Sequence, residues 1–404
     1  IATIYFKQGD FEKALTHFNL AIDIKRKILG PKSRDLTLSY FNLSYLCFEK
    51  TEYLTALSYA QRAITSNVIG FNDTLNITSN PKIESYVDYY TLLYSFLIKA
   101  TICEYYADSL DNSTVNIDGR NLGKKDLYQL ALHCYFQCDT IINQTRMKIY
   151  KQTDKITLGE LANEIYNEAL RLTFKLVRLN DSESETYKQD LFYFAEQNKG
   201  LVLLESIAGA EQLNFAGIPD SVMAAIRNLQ DQITSYELKQ AKEGDSIALA
   251  QVRDKLFELN RLYDSQLLLL EKNYPNYYNL KYSYKHPTVA EIQSKLDGTT
   301  AMRSYFMGNS NLYIFSLTKS RYDVWEIPGI EAIEDSISFY RDALMGVNAL
   351  SDFTNCGEFL YRMLFPDNDR ITNGITKLVI VPDGSLAFVP FESLPTKLVA
   401  EQRG

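Results

Sequence analysis

The sequence predicts an α-helical repeat solenoid, followed by a long helical hairpin and the first part of an α/β domain. The first observation is an internal repeat, in which small and aromatic residues recur 42 positions later along the chain. The second is a pair of apolar heptad seams, separated only by the polar residues 243–245. The third is a change of periodicity after Thr299, where short aromatic and β-branched segments replace the helical pattern.

The internal repeat predicts the first elements. Ala14 recurs as Ala56 and Ala21 recurs as Ala63, an offset of 42 residues. The same offset relates four further pairs, which are Ala2 and Ser44, Tyr5 and Cys47, Phe11 and Tyr53, and Phe18 and Ala60. Within each copy these residues follow helical spacing, and small residues occur where two helices must approach closely. The pattern therefore predicts one helical pair in each copy.

The spacing of these residues also suggests a family. Ala2-x-x-Tyr5 and Tyr40-x-x-Leu43-Ser44-x-x-Cys47 resemble the tetratricopeptide repeat, a helical pair of about 34 residues. By this resemblance, Phe41, Tyr45 and Glu49, which share one helix face, line the concave side that binds a protein or peptide partner. The alternative is that these side chains pack against a neighbouring repeat, and the sequence leaves both interpretations open.

Two further, degenerate pairs are predicted after the first two, because a repeat pair cannot bury its apolar face alone. Helical patterns run from Ile83 to Asp108 and from Asp126 to Tyr150, with a polar insertion from Asp111 to Gly123 between them. They resume from Thr157 to Leu179 and from Glu185 to Gly209, separated by a polar turn at 180–184.

The next segment predicts two long helices packed against each other. Apolar residues step by three and four positions from Val222 to Tyr236, and again from Leu249 to Tyr263. Asp220, after Pro219, is a suitable N-cap for the first helix. Two seams joined by a short break predict an antiparallel hairpin. A lever between two domains and simple packing both remain open as its purpose.

Strand and helix patterns alternate after Thr299. We expect strands at Ala301–Phe306, Leu312–Thr318 and Tyr322–Ile327, then helices at Ile330–Met345 and Cys356–Leu364, and a final strand at Leu378–Val381. The last is a continuous apolar run, which predicts a strand buried on both faces in the middle of a parallel sheet. The whole segment predicts an α/β fold with a mixed sheet.

A turn ends that apolar run. Pro382 presets its backbone, Asp383 is able to bond to the local backbone, and Gly384 tolerates a positive φ. Val-Pro-Asp-Gly at 381–384, with Val-Pro-Phe-Glu at 389–392, resembles the opening of the CHAT domain, a caspase-like domain found beside tetratricopeptide repeats.

This second resemblance implies a cysteine peptidase whose nucleophilic Cys and activating His follow the motif. No His and no Cys occur between Gly384 and Gly404, so we expect a chain truncated before both, with no catalytic residue of its own. The motif residues are expected to be structural, not chemical, and they are Pro382, Asp383, Gly384, Pro390, Phe391 and Glu392.

Other candidates for chemistry are sparse, and no cofactor is expected, because the sequence contains no Walker pattern. His17 lies in a repeat helix and is interpreted as a packing residue. His133-Cys134-x-x-x-Cys138 lacks the fourth ligand that structural zinc prefers, so no metal site is expected. His286 and Cys356 form the one possible dyad of the sheet region, but both precede the motif, and the resemblance gives neither a role.

Composition limits the partners. The formal net charge is −8, and Lys25-Arg26-Lys27 is the one basic run, so no nucleic acid is expected. No apolar stretch approaches the roughly 18 residues of a membrane span. Five Cys residues are too few for a disulfide framework and indicate a reducing, cytoplasmic compartment. Because the chain begins at Ile1 without Met, a targeting signal would lie outside it.

These observations predict three segments, which are repeats at 1–210, the hairpin and linker at 211–285, and the α/β part at 286–404. The function expected is partner binding by the repeats, which regulates a caspase-like cysteine endopeptidase. The alternative is a scaffold for protein interactions whose caspase-like domain has lost its chemistry. The oligomeric state does not follow from the sequence.

Overall fold

The computed structural model describes residues 1–146, 152–179, 182–209, 219–242, 246–275, 286–346, 350–366 and 374–395. The chain is mostly helical, and it forms two compact units. The first comprises Ile1–Leu172 and Gly200–Lys285, and the second comprises Thr173–Lys199 and His286–Gly404. No helix within the described ranges is both long and apolar enough to cross a membrane. The predicted division into three segments stays a prediction.

The first unit begins with the two predicted helical pairs. They are α1 (Ala2–Lys7) with α2 (Phe11–Leu29), and α3 (Arg34–Glu49) with α4 (Tyr53–Asn67). Side-chain caps set two of the starts, because Asp10 accepts a hydrogen bond from the Lys13 backbone N–H and Ser33 accepts one from that of Leu36. Both copies of the repeat are therefore confirmed as helical pairs.

The repeated positions lie where helices approach closely. Phe11 and Tyr53, which are related by the 42-residue offset, are the first residues of α2 and α4. Ala14, Ala56, Ala60 and Ala63 are fully buried. Ser44 Oγ donates a 2.8 Å hydrogen bond to the carbonyl of Ala56, so this small residue also ties α3 to α4. The recurring small residues therefore lie where helices pack closely, as the sequence predicted.

Four longer helices follow, with boundaries that differ from the prediction. They are α5 (Tyr89–Ser109), α6 (Lys124–Arg146), α7 (Gln152–Arg178) and α8 (Ser184–Gly209). The expected start of α5 at Ile83 is wrong, because the Asp88 side chain accepts a 2.8 Å hydrogen bond from the Thr91 backbone N–H and begins the helix there. Residues 147–150 and 180–181, on which parts of the prediction fall, lie outside the described residues.

The polar insertion between α5 and α6 contains a small hairpin that the sequence analysis did not predict. Strand β1 (Val115–Ile117) pairs antiparallel with β2 (Arg120–Leu122). Asp118 and Gly119 turn the chain with φ values of 52° and 78°, as a two-residue hairpin turn requires. The Asp118 carboxylate accepts a 2.8 Å hydrogen bond from the Thr78 backbone N–H, which fastens the turn to the segment before α5.

A buried lysine anchors that same segment. Lys99 of α5 is 1% exposed, and its ammonium donates to Gln61 Oε1, to the Ser79 carbonyl and to Asn80 Oδ1 at 2.8–2.9 Å. All three acceptors are neutral, and burial lowers the pKa of Lys99. The charge is stabilised by hydrogen bonds that also hold the connection between α4 and α5.

Helix α7 is tied to the preceding helices by polar contacts. The guanidinium of Arg171 binds both carboxylate oxygens of Glu104 in α5, at 2.5 and 2.7 Å. The Tyr166 hydroxyl donates a 2.8 Å hydrogen bond to Asp139 in α6. Since Glu104 is 1% exposed, its pairing with Arg171 satisfies a buried charge within the first unit.

The predicted hairpin is present as α9 (Asp220–Lys242) and α10 (Ser246–Asn273). Its seam is buried and consists of Ile226 and Ile233 facing Leu256, Leu259 and Tyr263, with Leu267 and Leu270 continuing it. Val222, Leu229, Tyr236 and Val252 pack around this core, as the heptad pattern predicted. Residues 243–245, where the turn was placed, lie outside the described residues, as does the side chain of Leu249.

The second unit contains a four-stranded mixed sheet in the order β5-β4-β3-β6. Its elements are α11 (Val289–Lys295), β3 (Thr300–Met307), β4 (Asn311–Leu317), β5 (Tyr322–Pro328), α12 (Ile330–Leu344), α13 (Leu350–Leu364) and β6 (Lys377–Val381). The three consecutive strands are antiparallel, whereas β6 runs parallel to β3, with Val381 beside Ser304. Helix α13 begins at Leu350, six residues before the predicted start at Cys356.

Both faces of the sheet are covered within the second unit. On one face, Tyr305 and Ile314 pack against Ile333 and Tyr340 of α12. On the other face, the ring of Phe315 meets that of Phe192 in α8 at 5.5 Å. Strands β3 and β4 are therefore central, which explains why nearly all of their residues are buried.

The prediction that Leu378–Val381 is buried on both faces is wrong. Among the described strands, β6 ends the sheet order and pairs with β3 alone. Leu378 and Val379 are 37% and 38% exposed. A continuous apolar run identifies a strand, but it does not report how many neighbours that strand has.

Candidate protein-binding face

Helices α1, α3 and α5 of the first unit carry two groups of aromatic rings, and the rings within each group are in contact. Phe6 meets Tyr45 at 5.7 Å between ring centroids, and Phe48 meets Tyr105 at 5.1 Å. Phe41 meets Tyr94 at 5.9 Å, and Tyr94 meets Tyr90 at 4.9 Å. We call the two groups together the aromatic face, and its members are Phe6, Phe41, Tyr45, Phe48, Tyr90, Tyr94 and Tyr105.

Helical spacing places these rings together. Phe41 and Tyr45 lie one turn apart on α3, and Tyr90 and Tyr94 lie one turn apart on α5. The other side of α3 is core, because Leu43 is fully buried. Helix α3 therefore directs one side into the core and the other into the aromatic face.

Three rings of the aromatic face remain accessible to solvent. Tyr45, Tyr90 and Tyr105 are 38%, 37% and 53% exposed, respectively. Large aromatic side chains that are partly exposed are enriched at protein-binding surfaces. Their hydroxyl groups add hydrogen-bonding capacity at the edge of the apolar rings.

The three residues predicted for the groove differ in their surroundings. Phe41 is half-buried against Tyr94 of α5, as the packing alternative expects. Tyr45 and Glu49 are exposed, as a binding groove requires, although one edge of Tyr45 packs on Phe6. Whether the three residues bind a partner stays a prediction.

Two carboxylates act on the tyrosines of this face. A hydrogen bond with the Glu49 carboxylate, with some burial, raises the pKa of Tyr45. A hydrogen bond with Tyr90 is the largest cause that raises the pKa of Tyr94 to about 12, and the charge of Glu164 acts in the same direction. The hydroxyls of Tyr45 and Tyr94 therefore stay protonated at neutral pH, and the carboxylates of Glu49 and Glu164 that act on them are exposed.

Sequence reasoning found Phe41 and Tyr45 of this face but missed Phe6, Phe48, Tyr90, Tyr94 and Tyr105. Helix α5 is apolar nearly all round, so its pattern does not show which residues face outward. The available signal was the pair Tyr90 and Tyr94 at i and i+4, which begins two residues after the Asp88 cap.

The motif residues of the second unit join the turn after β6 to the end of β3. The Asp383 carboxylate accepts a 2.8 Å hydrogen bond from the Met307 backbone N–H, so the expected bond to local backbone is not its main contact. Gly384 has a φ of 53°, and an added Cβ would lie 3.0 Å from Met307 Sδ. Phe391 stacks on Tyr305 at 5.6 Å.

The other three motif residues are chain neighbours of these. Pro382 directly follows β6 and is exposed. Pro390 precedes a short 3₁₀ turn at Phe391–Ser393, and Glu392 within it is exposed. These contacts are structural, but the membership of a caspase-like family that the motif implies stays a prediction.

The metal candidate does not converge on one point. Cys134 and Cys138 are fully buried, whereas His133 lies on the exposed side of α6. No group of three His, Cys, Asp or Glu side chains suited to a metal ion occurs in the described ranges.

The remaining His and Cys residues have neighbours of their own. His17 stacks on Tyr5 at 5.3 Å. His286 Nε2 lies 3.0 Å from Gln197 Oε1, while Cys356 packs against the core beneath α12 and α13. Burial raises the pKa of Cys47 to about 11 and raises that of Cys103, Cys134 and Cys138 as well, so these thiols are poor nucleophiles.

Comparison with known proteins concerns the first two helical pairs. A family model described as tetratricopeptide repeat matches residues 1–66, which run from α1 to the end of α4. A search of curated proteins finds no similar sequence. Together with the observed helical pairs, the match identifies residues 1–66 as tetratricopeptide repeats, a class that generally mediates protein–protein interactions.

Proposed function

We propose that the repeats bind a protein partner through the aromatic face. The observation that carries this proposal is the half exposure of Tyr45, Tyr90 and Tyr105, each of which contacts another ring of the aromatic face. Tyrosine is enriched at protein interfaces because it supplies a large contact area with little loss of conformational entropy. The tetratricopeptide match at 1–66 supports the same conclusion, because α1 and α3 belong to it.

The charges on this face favour a particular kind of segment. Glu49 and Glu164 are exposed beside the rings, and cationic side chains bind over tyrosine faces. A segment that carries Arg or Lys next to apolar residues would satisfy both features. Arginine is favoured because its planar guanidinium stacks on rings and also pairs with carboxylates.

Selection of peptides from a displayed random library tests this proposal. The full chain serves as bait, and enriched sequences are counter-selected against a Tyr45→Ala, Tyr105→Ala double variant. We expect enriched peptides to combine basic and apolar residues and to lose binding to the double variant. Enrichment of peptides that bind the double variant equally well would contradict the proposal.

We further propose that the second unit is the front part of a caspase-like domain, and that partner binding by the repeats regulates a cysteine endopeptidase. Two features support this proposal. Strand β6 pairs parallel with β3, and the turn after β6, which carries the motif that resembles the CHAT domain, is bound to β3 through Asp383. The competing proposal is a non-catalytic scaffold with a degenerate domain.

The gene sequence downstream of codon 404 separates the two proposals. A His and then a Cys, each after an apolar strand, would favour the peptidase, since both are needed for nucleophilic catalysis. The absence of either residue would favour the scaffold. Protein binding by the aromatic face belongs to both proposals and is unaffected by this result.

A further inference from the structure

A cleft of about 480 Å³ lies in the first unit, away from the rings of the aromatic face, among α2, α3, α4 and the chain after α4. Three cationic side chains line it, and they are Arg26, Lys32 and Arg62. None of its lining residues, all of which belong to the described stretch 1–146, is acidic. This local excess of positive charge occurs in a chain whose formal net charge is −8.

Lys32 contributes a charge that no carboxylate neutralises among the described residues. Its half-buried ammonium donates to the backbone carbonyls of Thr65, Val68 and Phe71 at 2.5, 2.9 and 2.5 Å. Burial lowers the pKa of Lys32, which means that the site would gain from a nearby anion. The lysine itself is fixed by the end of α4 and supplies positive potential to the cleft.

Arg26 and Arg62 are held in place by aromatic rings. Arg26 donates a hydrogen bond to the Tyr40 hydroxyl, and its guanidinium lies 6.0 Å from the centre of that ring. Arg62 lies 5.7 Å from the centre of the Tyr59 ring. In the described part of the chain neither arginine forms an ion pair, whereas Arg34 nearby approaches Asp88. Both therefore retain N–H donors for a ligand.

The remaining walls suit the organic part of a small ligand. Tyr40 is 3% exposed, and its hydroxyl accepts from Arg26, so its own proton is available for donation. Leu36 and Pro31 add apolar surface. The volume lies within the range of small-molecule sites, which is roughly 300–1,000 Å³.

We propose that this cleft binds a phosphate monoester, with Arg26 and Arg62 as the direct ligands of the phosphate group. A dianion matches the two guanidinium groups that line the cleft, together with the fixed charge of Lys32, better than a monoanion does. The site differs from the aromatic face in its location and in the chemistry of its ligand. It also involves Arg26 of the basic run Lys25-Arg26-Lys27, which is not part of the aromatic face.

Titration with inorganic phosphate tests the proposal on the full chain. Ionic strength is kept constant with sodium chloride, and binding is followed by calorimetry and by the melting temperature. We expect saturable binding and a rise in melting temperature, because a ligand that binds only the folded state stabilises it. Arg26→Gln and Arg62→Gln should each weaken binding by about tenfold, as loss of a charged hydrogen-bond partner implies.

Two further variants make the test specific. Lys27→Gln removes the same charge from the same basic run but does not line the cleft, so it should leave phosphate binding unchanged. Arg62→Lys keeps the charge and loses the planar donor pair, so its affinity should fall between those of the native chain and Arg62→Gln. No saturable binding, or equal losses in Lys27→Gln and Arg26→Gln, would overturn the proposal.

The source of the phosphate is decided by a second comparison. A peptide with one phosphorylated serine that binds at least ten times more tightly than free O-phosphoserine would identify a modified protein. Equal affinity of the two would identify a small phosphorylated compound. In either case the unphosphorylated peptide should not bind at this cleft, and competition by that peptide against inorganic phosphate would contradict the assignment.

Discussion

Tyr45 of α3 and Phe6 of α1 meet edge to face, with ring centroids 5.7 Å apart and planes at 73°. This contact joins the first helix to the aromatic face, while Tyr45 remains 38% exposed. Tyr45 thus contributes to packing along one edge and offers the rest of its ring to solvent.

Replacement of Tyr45 separates these two contributions. Tyr45→Ala should lower the free energy of unfolding by about 1 kcal/mol, the usual worth of one aromatic pair. The loss in the free energy of binding a selected peptide should be larger than this loss in the free energy of unfolding. Urea unfolding measures the first quantity. A destabilisation of about 3 kcal/mol or more would identify Tyr45 as a core residue and contradict its assignment to the binding face.

The hairpin seam provides a test of the packing of α9 on α10. Leu256 is 9% exposed within the seam, whereas Phe257 beside it is 74% exposed. Leu256→Asp should cost on the order of several kcal/mol, because an unpaired carboxylate would be buried. Phe257→Asp introduces the same charge one position later and should change stability little. Thermal melting followed by circular dichroism compares the two, and equal melting temperatures would mean that the seam is not a core.

The sequence predicted the features that depend on local periodicity. The 42-residue recurrence gave the helical pairs, because residues such as Ala56 and Ala60 must be small where helices meet. The heptad seams gave the hairpin for the same reason. Asp118-Gly119 carried the signal for β1 and β2, since Asp-Gly is a favoured two-residue turn, but the polar composition around it concealed the strands.

Features that depend on distant residues were not predictable. Asp383 was expected to bond locally, and it does bond the backbone of Gly384, but its carboxylate also accepts from the Met307 N–H, which the parallel pairing of β3 and β6 brings beside it. Lys99 has three neutral acceptors that come from two separate segments. The cleft around Arg26 and Arg62 likewise combines residues from α2 and α4. A periodic pattern along the chain does not indicate which distant residues come into contact.

Asp190 of α8 predicts a pH dependence of stability in the second unit. Burial raises the pKa of Asp190 to about 6, from an ordinary value of 3.8. A raised pKa means that the folded state favours the protonated carboxyl. The contribution of the protonated carboxyl to stability is therefore fully present below pH 3.8 and is lost as the pH rises through 6. Asp190→Asn removes the ionisable group, so it should raise the free energy of unfolding more at pH 7 than at pH 4.

Urea unfolding of the variant and the native chain at both pH values measures this difference. Asp264→Asn, at an exposed position of α10, is the matched control and should show the same small effect at both. A stabilisation by Asp190→Asn that is equal at pH 4 and pH 7 would show that the Asp190 carboxyl titrates normally in the folded state.

The exposed edge of β6 predicts self-association. Val379 is 38% exposed, and in the described part of the sheet the outer edge of its strand has no partner. Such an edge pairs readily with another chain, and a charged residue discourages that pairing. Val379→Lys should shift sedimentation profiles toward smaller species at high concentration. Leu344→Lys places the same charge on α12, where 43% of Leu344 is exposed, and should have less effect if strand pairing is the cause.

The most direct test of partner binding is the affinity of one selected peptide, measured by fluorescence anisotropy on the full chain. Tyr105 is 53% exposed on the aromatic face, and Phe257 is an exposed aromatic residue outside it. We predict that Tyr105→Ala raises the dissociation constant by about tenfold or more, as truncation of a central aromatic contact does. Phe257→Ala should leave it unchanged. Equal dissociation constants for the native chain and Tyr105→Ala would contradict binding at the aromatic face.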